Sequence, residues 1–378
     1  MKLCLKLLAI CLSFLALSTA NAIPENYGDF EMEILSKVLL QRSKENIVMS
    51  PLAIKYALEM LYCGAYGYTA EEIRLALHIT KHKDDLVKHA KMTSDSLNRT
   101  ILDFTNKLFY THDIKLADKY RSHAETPFHA EFEALDFHEI EKSMDIINQW
   151  ISQRTKKNIR QICNSIDEHT IAEMVSASYL KGGWARPFCK EFTVKRDFCM
   201  SKDKCIKVPT IHAKDLFHYA DSSILDATLL KAPFEKSDLS MIIILPNKKN
   251  GLYELEEKLK TFDFYDMHDH WKMEQMDVYV PKFKISSSIP LKAALQRLGI
   301  YEMFTFSADF SDMLEHGHGH MPISELQHAA MIEIHESDAS DLVLDETKTY
   351  IPFYADHPFA FVIRNKDHVL FAGHVVSL

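Results

Sequence analysis

The stretch NIVMSPLAIKYALEMLYCGAYGYTAEEI, Asn46–Ile73, contains the strongest local folding signals of the chain. Ser50-Pro51 combines an N-cap residue with proline at the first helical position, so a helix is predicted to begin there. The helix runs over Leu52–Cys63, and the glycine that follows supplies its stop. Thr69 is followed three residues later by Glu72, which is the pattern of a capping box. We therefore expect one long helix and a second, shorter helix that opens at Thr69.

Helical periodicity dominates the first half of the chain, and strand-like patterns dominate the second half. A further helix is predicted by an apolar face at helical spacing, formed by Met144, Ile147, Trp150 and Ile151. The short apolar run Met241–Pro246 is typical of a fully buried strand. The chain ends in a predicted hairpin, in which Phe359–Arg364 and Val369–Val376 are joined by a polar turn. Helices grouped early and strands grouped late predict an α+β fold with mostly antiparallel sheets.

Residues 1–22 have the pattern of a secretory signal peptide. Lys2 and Lys6 lead the apolar run Leu7–Leu17, and Ala20-Asn21-Ala22 has the small-x-small pattern of a cleavage site. The run is too short to cross a membrane. The sequence therefore predicts a secreted, extracellular protein that is not held in a membrane. The mature chain, residues 23–378, has no Pro/Ser-rich linker, low-complexity tract or internal repeat, so we expect a single domain.

The mature chain is acidic. Removal of the signal peptide leaves 42 of the 44 basic residues and all 53 acidic residues, so the formal net charge changes from -9 to -11. General nucleic-acid binding rests on the neutralisation of phosphates by basic side chains. We therefore do not expect nucleic acid to be a partner.

Five cysteines remain after the signal peptide, too few and odd in number for a disulfide framework. Cys199 and Cys205 flank a polar turn between strand-like runs, and one interpretation is a disulfide that closes a small hairpin loop. The alternative is a set of partly buried free thiols. Asn98 opens the only N-glycosylation sequon, which is meaningful because the chain has the pattern of a secreted protein.

The usual enzymatic motifs are missing from the sequence. There is no G-x-S-x-G elbow, H-E-x-x-H helix, P-loop or C-x-x-C, so we expect neither an enzyme nor a cofactor. His316, His318 and His320 alternate with glycine, and such imidazoles are able to ligate Zn²⁺ or Cu²⁺. No carboxylate or cysteine completes a site at a recognisable spacing, so a solvated loop is favoured over a metal site.

Several segments of the chain together resemble one family, the serpins. The opening stretch resembles the serpin segment that begins Asn-Ile and passes through Ser-Pro-Leu to a Gly-x-x-Gly-x-Thr turn. Further similar tracts follow in family order: AEFEALDF (130–137), INQWISQRT (147–155), SASYLKGGWARPF (176–188), SELQHAAMIEIHE (324–336) and ADHPFAFVIR (355–364). Each tract alone is a weak signal, but the ordered set spans nearly all of the mature chain and is specific.

The resemblance implies one monomeric domain with three mostly antiparallel β-sheets, about nine helices and an exposed reactive loop at about 336–353. Inhibitory serpins offer this loop to a serine protease. After cleavage, the N-terminal part of the loop inserts as a new strand in the middle of the main sheet, and the acylated protease is dragged across and distorted. A serine protease is therefore the partner that the resemblance implies, and an unknown protein or ligand is the alternative.

The hinge of the reactive loop departs from the pattern of the inhibitory members. The match places Glu336 on the first conserved acid of the loop. Asp338 then stands where glycine would let the backbone pivot, and Ala339 is followed by Ser340–Leu344 instead of a run of alanines. The hinge positions that bear on insertion are Glu336, Asp338, Ala339, Asp341 and Val343. The loop is also shorter than in the inhibitors that it resembles.

Strand geometry makes these acids an obstacle to insertion. Successive side chains of a strand point to opposite faces, so a strand that turns Ala339 inward also turns Asp341 and Asp345 inward. The opposite parity buries Asp338 and Glu346 instead. An unpaired buried carboxylate costs several kcal/mol. The alternative is that the loop has simply remained soluble and no insertion is required of it.

The shutter beneath the insertion point also departs from the family. Ser50 and His328 match, but Ser176 stands where the family usually has asparagine, so a thinner hydrogen-bond network is expected. Lys348 is the only base of the loop, and Lys348-Thr349 is the candidate scissile bond for a trypsin-like protease. Two hypotheses remain open. The chain has lost or weakened protease trapping and acts by binding or as a protease substrate, or it is a working inhibitor of a trypsin-like protease.

Overall fold

The computed structural model describes residues 28–39, 42, 44–97, 101–262, 271–315, 320–337 and 347–378. The signal peptide, 1–22, and the sequon at Asn98 lie outside these residues and stay predictions. No helix in the described segments has both the length and the apolar character needed to cross a membrane.

Eight α-helices lie in the described part of the chain, against about nine expected. They are α1 Gly28–Leu39, α2 Pro51–Gly64, α3 Gly67–Ala76, α4 Lys83–Leu97, α5 Asp118–Glu125, α6 Ile140–Arg154, α7 Leu252–Leu259 and α8 Lys292–Gln296. Short 3-10 helices cover Lys190–Phe192, Glu302–Phe304 and Ser311–Met313.

Helix α2 begins where the sequence predicts. The Ser50 hydroxyl accepts a hydrogen bond from the Ala53 backbone N–H at 3.3 Å, and Pro51 occupies the first turn. Nearly every side chain of the helix is buried, including Lys55 and Glu59. The helix is therefore a central element of the core rather than an amphipathic surface helix.

The capping box predicted at Thr69 is wrong. Helix α3 begins two residues earlier, at Gly67, which has a positive φ of 55°. The Thr69 hydroxyl accepts instead from the Asp309 N–H at 2.9 Å, and the Glu72 carboxylate accepts from the N–H groups of Tyr301 and Glu302. These side chains fasten a distant segment, so a tertiary contact replaces the local cap.

Fourteen strands form two hydrogen-bonded sheets in the described residues. They are β1 Ile47–Met49, β2 Leu102–Thr111, β3 Ala130–Leu135, β4 Ala172–Leu180, β5 Val194–Ser201, β6 Lys204–Ser222, β7 Ala227–Pro233, β8 Ser240–Pro246, β9 Lys272–Pro281, β10 Phe283–Pro290, β11 Ile323–Ile334, β12 Ile351–Tyr354, β13 Phe359–Arg364 and β14 Val369–Val375. The nine-stranded sheet has the order β1-β14-β13-β8-β7-β6-β9-β12, with β5 on β6, and the five-stranded sheet has the order β10-β11-β4-β2-β3.

The number of sheets differs from the expected three, because one long strand joins two of them. Strand β6 pairs with β5 over 204–210, with β9 over 210–219 and with β7 over 218–222. The strands that would make up two separate sheets are thereby hydrogen-bonded into one. Pairing is mostly antiparallel, and the exceptions in the described residues are β11–β4, β2–β3 and β12–β9. The α+β class is confirmed.

The five-stranded sheet has an apolar core on each face. Its inner face carries Met174 and Leu326 into the main core, which also holds helix α2. Its outer face carries Phe109 and Val175 into a smaller core beneath helix α6. The predicted apolar face of that helix is confirmed, since Ile147, Trp150 and Ile151 are buried and Met144 packs against them.

Candidate functional site

The β4–β11 seam is the pair of parallel strands at the centre of the five-stranded sheet. Cα partners run from Ile323 opposite Ala172 to Ile332 opposite Leu180, with a bulge between Ile323 and Leu326. The two strands run in the same direction, so a strand that reverses direction after β11 would be antiparallel to both. Chain connectivity makes 335–350 the link between β11 and β12.

Side chains on both faces of the seam are buried. Strand β4 is buried over all of its residues, and Ala329, Ala330, Met331 and Ile332 of β11 have no exposed surface. Val175 and Ala177 face the core under helix α6, while Met174 and Leu180 face the main core. A strand placed between β4 and β11 would therefore meet packed apolar side chains on both of its faces along most of its length.

Glu336 anchors the chain where it leaves β11. Its carboxylate lies 2.7 Å from the Lys282 ammonium and accepts from the Thr193 hydroxyl at 3.0 Å. Burial opposes ionisation of Glu336, but these hydrogen bonds outweigh it, and its pKa is lowered from the ordinary value. The Trp184 indole N–H donates to the His335 carbonyl at 2.9 Å. Glu336 is thus held as a carboxylate just after the end of β11.

Ser337 continues the anchor. Its N–H donates to the Phe188 carbonyl at 2.9 Å, and its hydroxyl accepts from the Phe188 N–H at 3.1 Å. The remaining hinge positions, Asp338, Ala339, Asp341 and Val343, lie outside the described residues.

The candidate scissile bond lies on the surface at the other end of the loop. Lys348 and Thr349 are both exposed, and the chain then enters β12, which pairs in parallel with β9. The Arg196 guanidinium packs over the rings of Tyr279 and Tyr354, at 4.1 and 4.7 Å from their centroids. The C-terminal side of the loop is therefore fixed to the nine-stranded sheet, and its N-terminal side is held by Phe188, Thr193 and Lys282, which flank the sheets.

The structure brings the three shutter residues together at the middle of the seam. His328 is the register partner of Ser176, and the Ser50 N–H donates to His328 Nε2 at 2.9 Å. Burial lowers the pKa of His328 to about 3, so the ring is neutral. Because Nε2 accepts a hydrogen bond, we assign the ring proton to Nδ1.

Within the described residues, three buried polar atoms on this level have no hydrogen-bond partner. They are His328 Nδ1, Ser176 Oγ and Asn106 Oδ1. Asn106 is the register partner of Ser176 on β2, so one row crosses three strands. Asn106 was not predicted as part of this row, although an asparagine inside a strand-like run is an available signal. That the network is thinner here than in the family stays a prediction.

Ser176→Asn is expected to stabilise the uncleaved protein. An asparagine side chain reaches further than a serine hydroxyl and supplies an acceptor for the His328 N–H. An unsatisfied buried polar group costs about 1–3 kcal/mol, so we expect a gain of about 1–2 kcal/mol in the free energy of unfolding, measured by denaturant titration. Ser178→Asn is the matched control on the same face of β4. Its hydroxyl already donates to the Ala329 carbonyl, so this variant is expected to be destabilised, and equal gains in both variants would contradict the assignment.

The other predicted site residues lie away from the seam. A disulfide joins Cys199 and Cys205, which are register partners on β5 and β6. Cys63, Cys163 and Cys189 form no disulfide. His316 and His318 lie outside the described residues, and His320 forms an isolated bridge with Asp309. No group of three or more His, Cys, Asp or Glu side chains in the described segments is arranged to hold a metal.

Comparison with known proteins agrees with this architecture. The family model for serpin (serine protease inhibitor) matches residues 25–378. Serine protease inhibitor 42Dd of Drosophila melanogaster is 30% identical over 360 residues, which cover 91% of this chain and 94% of that protein. Antitrypsin of Bombyx mori is 27% identical, with 99% of both chains covered.

Solved structures superpose over nearly the whole chain. Serpin48 of the insect Tenebrio molitor, described as a highly specific serpin, superposes with a TM-score of 0.85 at 28% identity and covers 96% of this chain and 99% of its own. A thyroxine-binding globulin complex with thyroxine superposes with a TM-score of 0.83 at 25% identity, covering 92% and 97%. The family match over residues 25–378 and the parallel seam with its anchored loop lead to one conclusion: the chain belongs to the serpin family.

Proposed function

We propose that this chain is a secreted, monomeric serpin whose protease trapping is weakened or lost, and that it acts by binding a protein or ligand or as a protease substrate. The observation that carries the proposal is the burial of both faces of the β4–β11 seam. The sequence places Asp338, Asp341, Asp345 and Glu346 in the segment that insertion would bring there.

Neither parity of an inserted strand avoids a buried acid. One parity directs Asp341 and Asp345 to the main core, and the other directs Asp338 and Glu346 there. The acids that face the opposite way would meet the core under helix α6 or its margins. The described side chains that line the seam offer few bases to pair with them, and an unpaired buried carboxylate costs several kcal/mol. Insertion is therefore expected to be too weak or too slow to trap an acyl-enzyme.

The anchor at Glu336 supports the same proposal. Insertion has to begin by turning the chain inward directly after this residue. Here the Lys282 ion pair and the Phe188–Ser337 hydrogen bonds hold the chain outside the sheet. These contacts add to the free energy that the first step of insertion must supply.

Inhibition of a trypsin-like protease is the second candidate function. It is favoured by the exposed Lys348-Thr349 bond, since trypsin-like enzymes cleave after a basic residue, and by the similarity to a protein named antitrypsin. In this case the hinge acids would be tolerated during insertion.

Incubation of the mature protein with trypsin distinguishes the two candidates. We expect cleavage at Lys348-Thr349 without an SDS-stable complex, and without a large rise in the melting temperature of the cleaved product. Lys348→Gln is the control that should abolish this cleavage. An SDS-stable covalent complex that requires Lys348 would refute the proposal and establish the inhibitor.

A further inference from the structure

The lower end of the seam holds two glutamates on opposite strands. Glu173 is the second residue of β4, and Glu325 lies in the bulge of β11 between Ile323 and Leu326. Ile323 pairs with Ala172 and Leu326 with Met174, so the register places Glu173 directly across the seam from the bulge that contains Glu325. This pair lies at the opposite end of the seam from the Glu336 anchor.

Glu173 is a buried acid in the sheet. Its side chain is 6% exposed. On β2 its register partner is Phe109. The Lys107 ammonium, two residues before Phe109, forms an ion pair with Glu133 at 2.7 Å. After helix α6 the chain brings the Cys163 thiol near Glu173, and burial raises the pKa of that thiol to about 11, so it is neutral.

The remaining charged neighbours of Glu173 belong to the opposite strand and to helix α8. Glu325 accepts hydrogen bonds from the N–H groups of Lys292 and Leu326, at 2.8 and 3.0 Å. The Lys292 ammonium donates to the Ser324 carbonyl at 3.1 Å and opposes the repulsion in part. Burial, followed by the Glu325 charge, raises the pKa of Glu173 to about 8.

We propose that Glu173 and Glu325 form a proton-dependent latch on the lower end of the β4–β11 seam. With Glu173 protonated, the two strands close over a neutral carboxyl group. Ionisation of Glu173 places two carboxylates across the seam and favours its opening, which returns Glu173 to water. The latch is a property of the sheet itself, and it operates whether or not the reactive loop enters the seam.

The sign of the pH dependence follows from linkage. In the closed seam the pKa of Glu173 is raised from its ordinary value of 4.5 to about 8, and in an open seam it returns toward the ordinary value. Between these pH values the closed seam holds a proton that the open seam releases. Each pH unit in that window favours opening by up to tenfold, and the effect is flat below about pH 4.5 and above about pH 8.

Hydrogen exchange of the seam amides tests the latch on the whole mature protein. Exchange of 175–179 and 326–331 is measured from pH 5 to pH 8 and corrected for the intrinsic rates. We expect the opening equilibrium of wild type to rise at least tenfold over this range. The amides of β13 and β14 serve as the internal reference and are expected to change less.

Glu173→Gln imitates the protonated carboxyl group and should remove most of this pH dependence. At pH 8 its seam is expected to be at least tenfold better protected than in wild type, and at pH 5 nearly the same. Glu325→Gln removes the opposing charge and should reduce the slope, which provides a second variant if the first folds poorly. Glu191→Gln, an exposed acid outside the seam, is the matched control and should leave the profile unchanged. A flat wild-type profile, or an equal slope in wild type and Glu173→Gln, would overturn the latch.

Discussion

The triple variant Asp338→Gly, Asp341→Ala and Asp345→Ala is expected to make the cleaved protein far more heat-stable than the uncleaved protein. Wild type should show little difference between its two forms. Burial of each unpaired carboxylate costs several kcal/mol. Replacing all three should therefore lower the free energy cost of insertion by on the order of 10 kcal/mol. At about 2 °C per kcal/mol, the melting temperature of the cleaved variant should rise by roughly 20 °C.

The expected gain has a steric as well as an electrostatic basis. Glycine at 338 restores the backbone freedom of a pivot, and alanine is small enough to enter between β4 and β11 without displacing Val175 or Ala177. Calorimetry before and after limited trypsin cleavage measures the effect. The same variant, mixed with trypsin, is expected to give an SDS-stable complex that wild type does not give.

Asp203→Ala is the control for the general effect of removing an acid. Asp203 is exposed in the turn between β5 and β6, away from the seam. It should leave the melting temperatures of both forms within about 1 °C, as is usual for surface substitutions. If the triple variant shows no rise on cleavage, the proposal that these acids oppose insertion is wrong.

Local signals predicted the elements of this fold well, because they depend on neighbouring residues. Ser50-Pro51 marked the start of α2, and the C-terminal hairpin was read from two apolar runs and a polar turn. The interpretation of Thr69 and Glu72 was wrong for the complementary reason. Their partners lie more than two hundred residues away in the chain, and no local pattern distinguishes a cap from a tertiary anchor.

The seam was found through resemblance, but its chemistry depends on strand register. Ser176 and His328 could be named from the sequence, whereas Asn106 joins them only because β2 pairs with β4 in one particular register. Glu173 and Glu325 are likewise brought together by the parallel pairing and its bulge. A shift of one residue would turn each of these side chains to the other face. Register is set by the whole sheet, so these groups could not be paired from the sequence.

Glu256→Ala is expected to lower the free energy of unfolding by about 3–5 kcal/mol, the largest effect of any single substitution considered for this chain. Glu256 on helix α7 is hydrogen-bonded to His374 Nδ1 on β14, and both side chains are almost fully buried. His374 Nε2 contacts the Glu45 carbonyl oxygen at 2.7 Å. A carbonyl oxygen only accepts, so Nε2 carries a proton, and a second proton lies between Nδ1 and the carboxylate.

Loss of the carboxylate leaves a buried imidazole with an unsatisfied polar nitrogen beside a cavity, which is why a large effect is expected. Glu254→Ala is the matched control on the same helix. Glu254 forms an exposed pair with Lys248 at 3.1 Å, and exposed pairs contribute about 0–1 kcal/mol. Urea denaturation of the uncleaved protein measures both variants, and similar losses in the two would contradict the argument.

The double variant Glu256→Leu with His374→Phe separates the two roles of this buried pair. If the attraction within the pair only offsets the cost of removing its two members from water, the double variant should lose far less stability than Glu256→Ala. Its free energy of unfolding should then stay within about 2 kcal/mol of wild type. A loss as large as that of Glu256→Ala would mean that the pair contributes net stability to the junction of α7 and β14. In the first case, the pair fixes the position of the helix against the sheet rather than raising the stability of the fold.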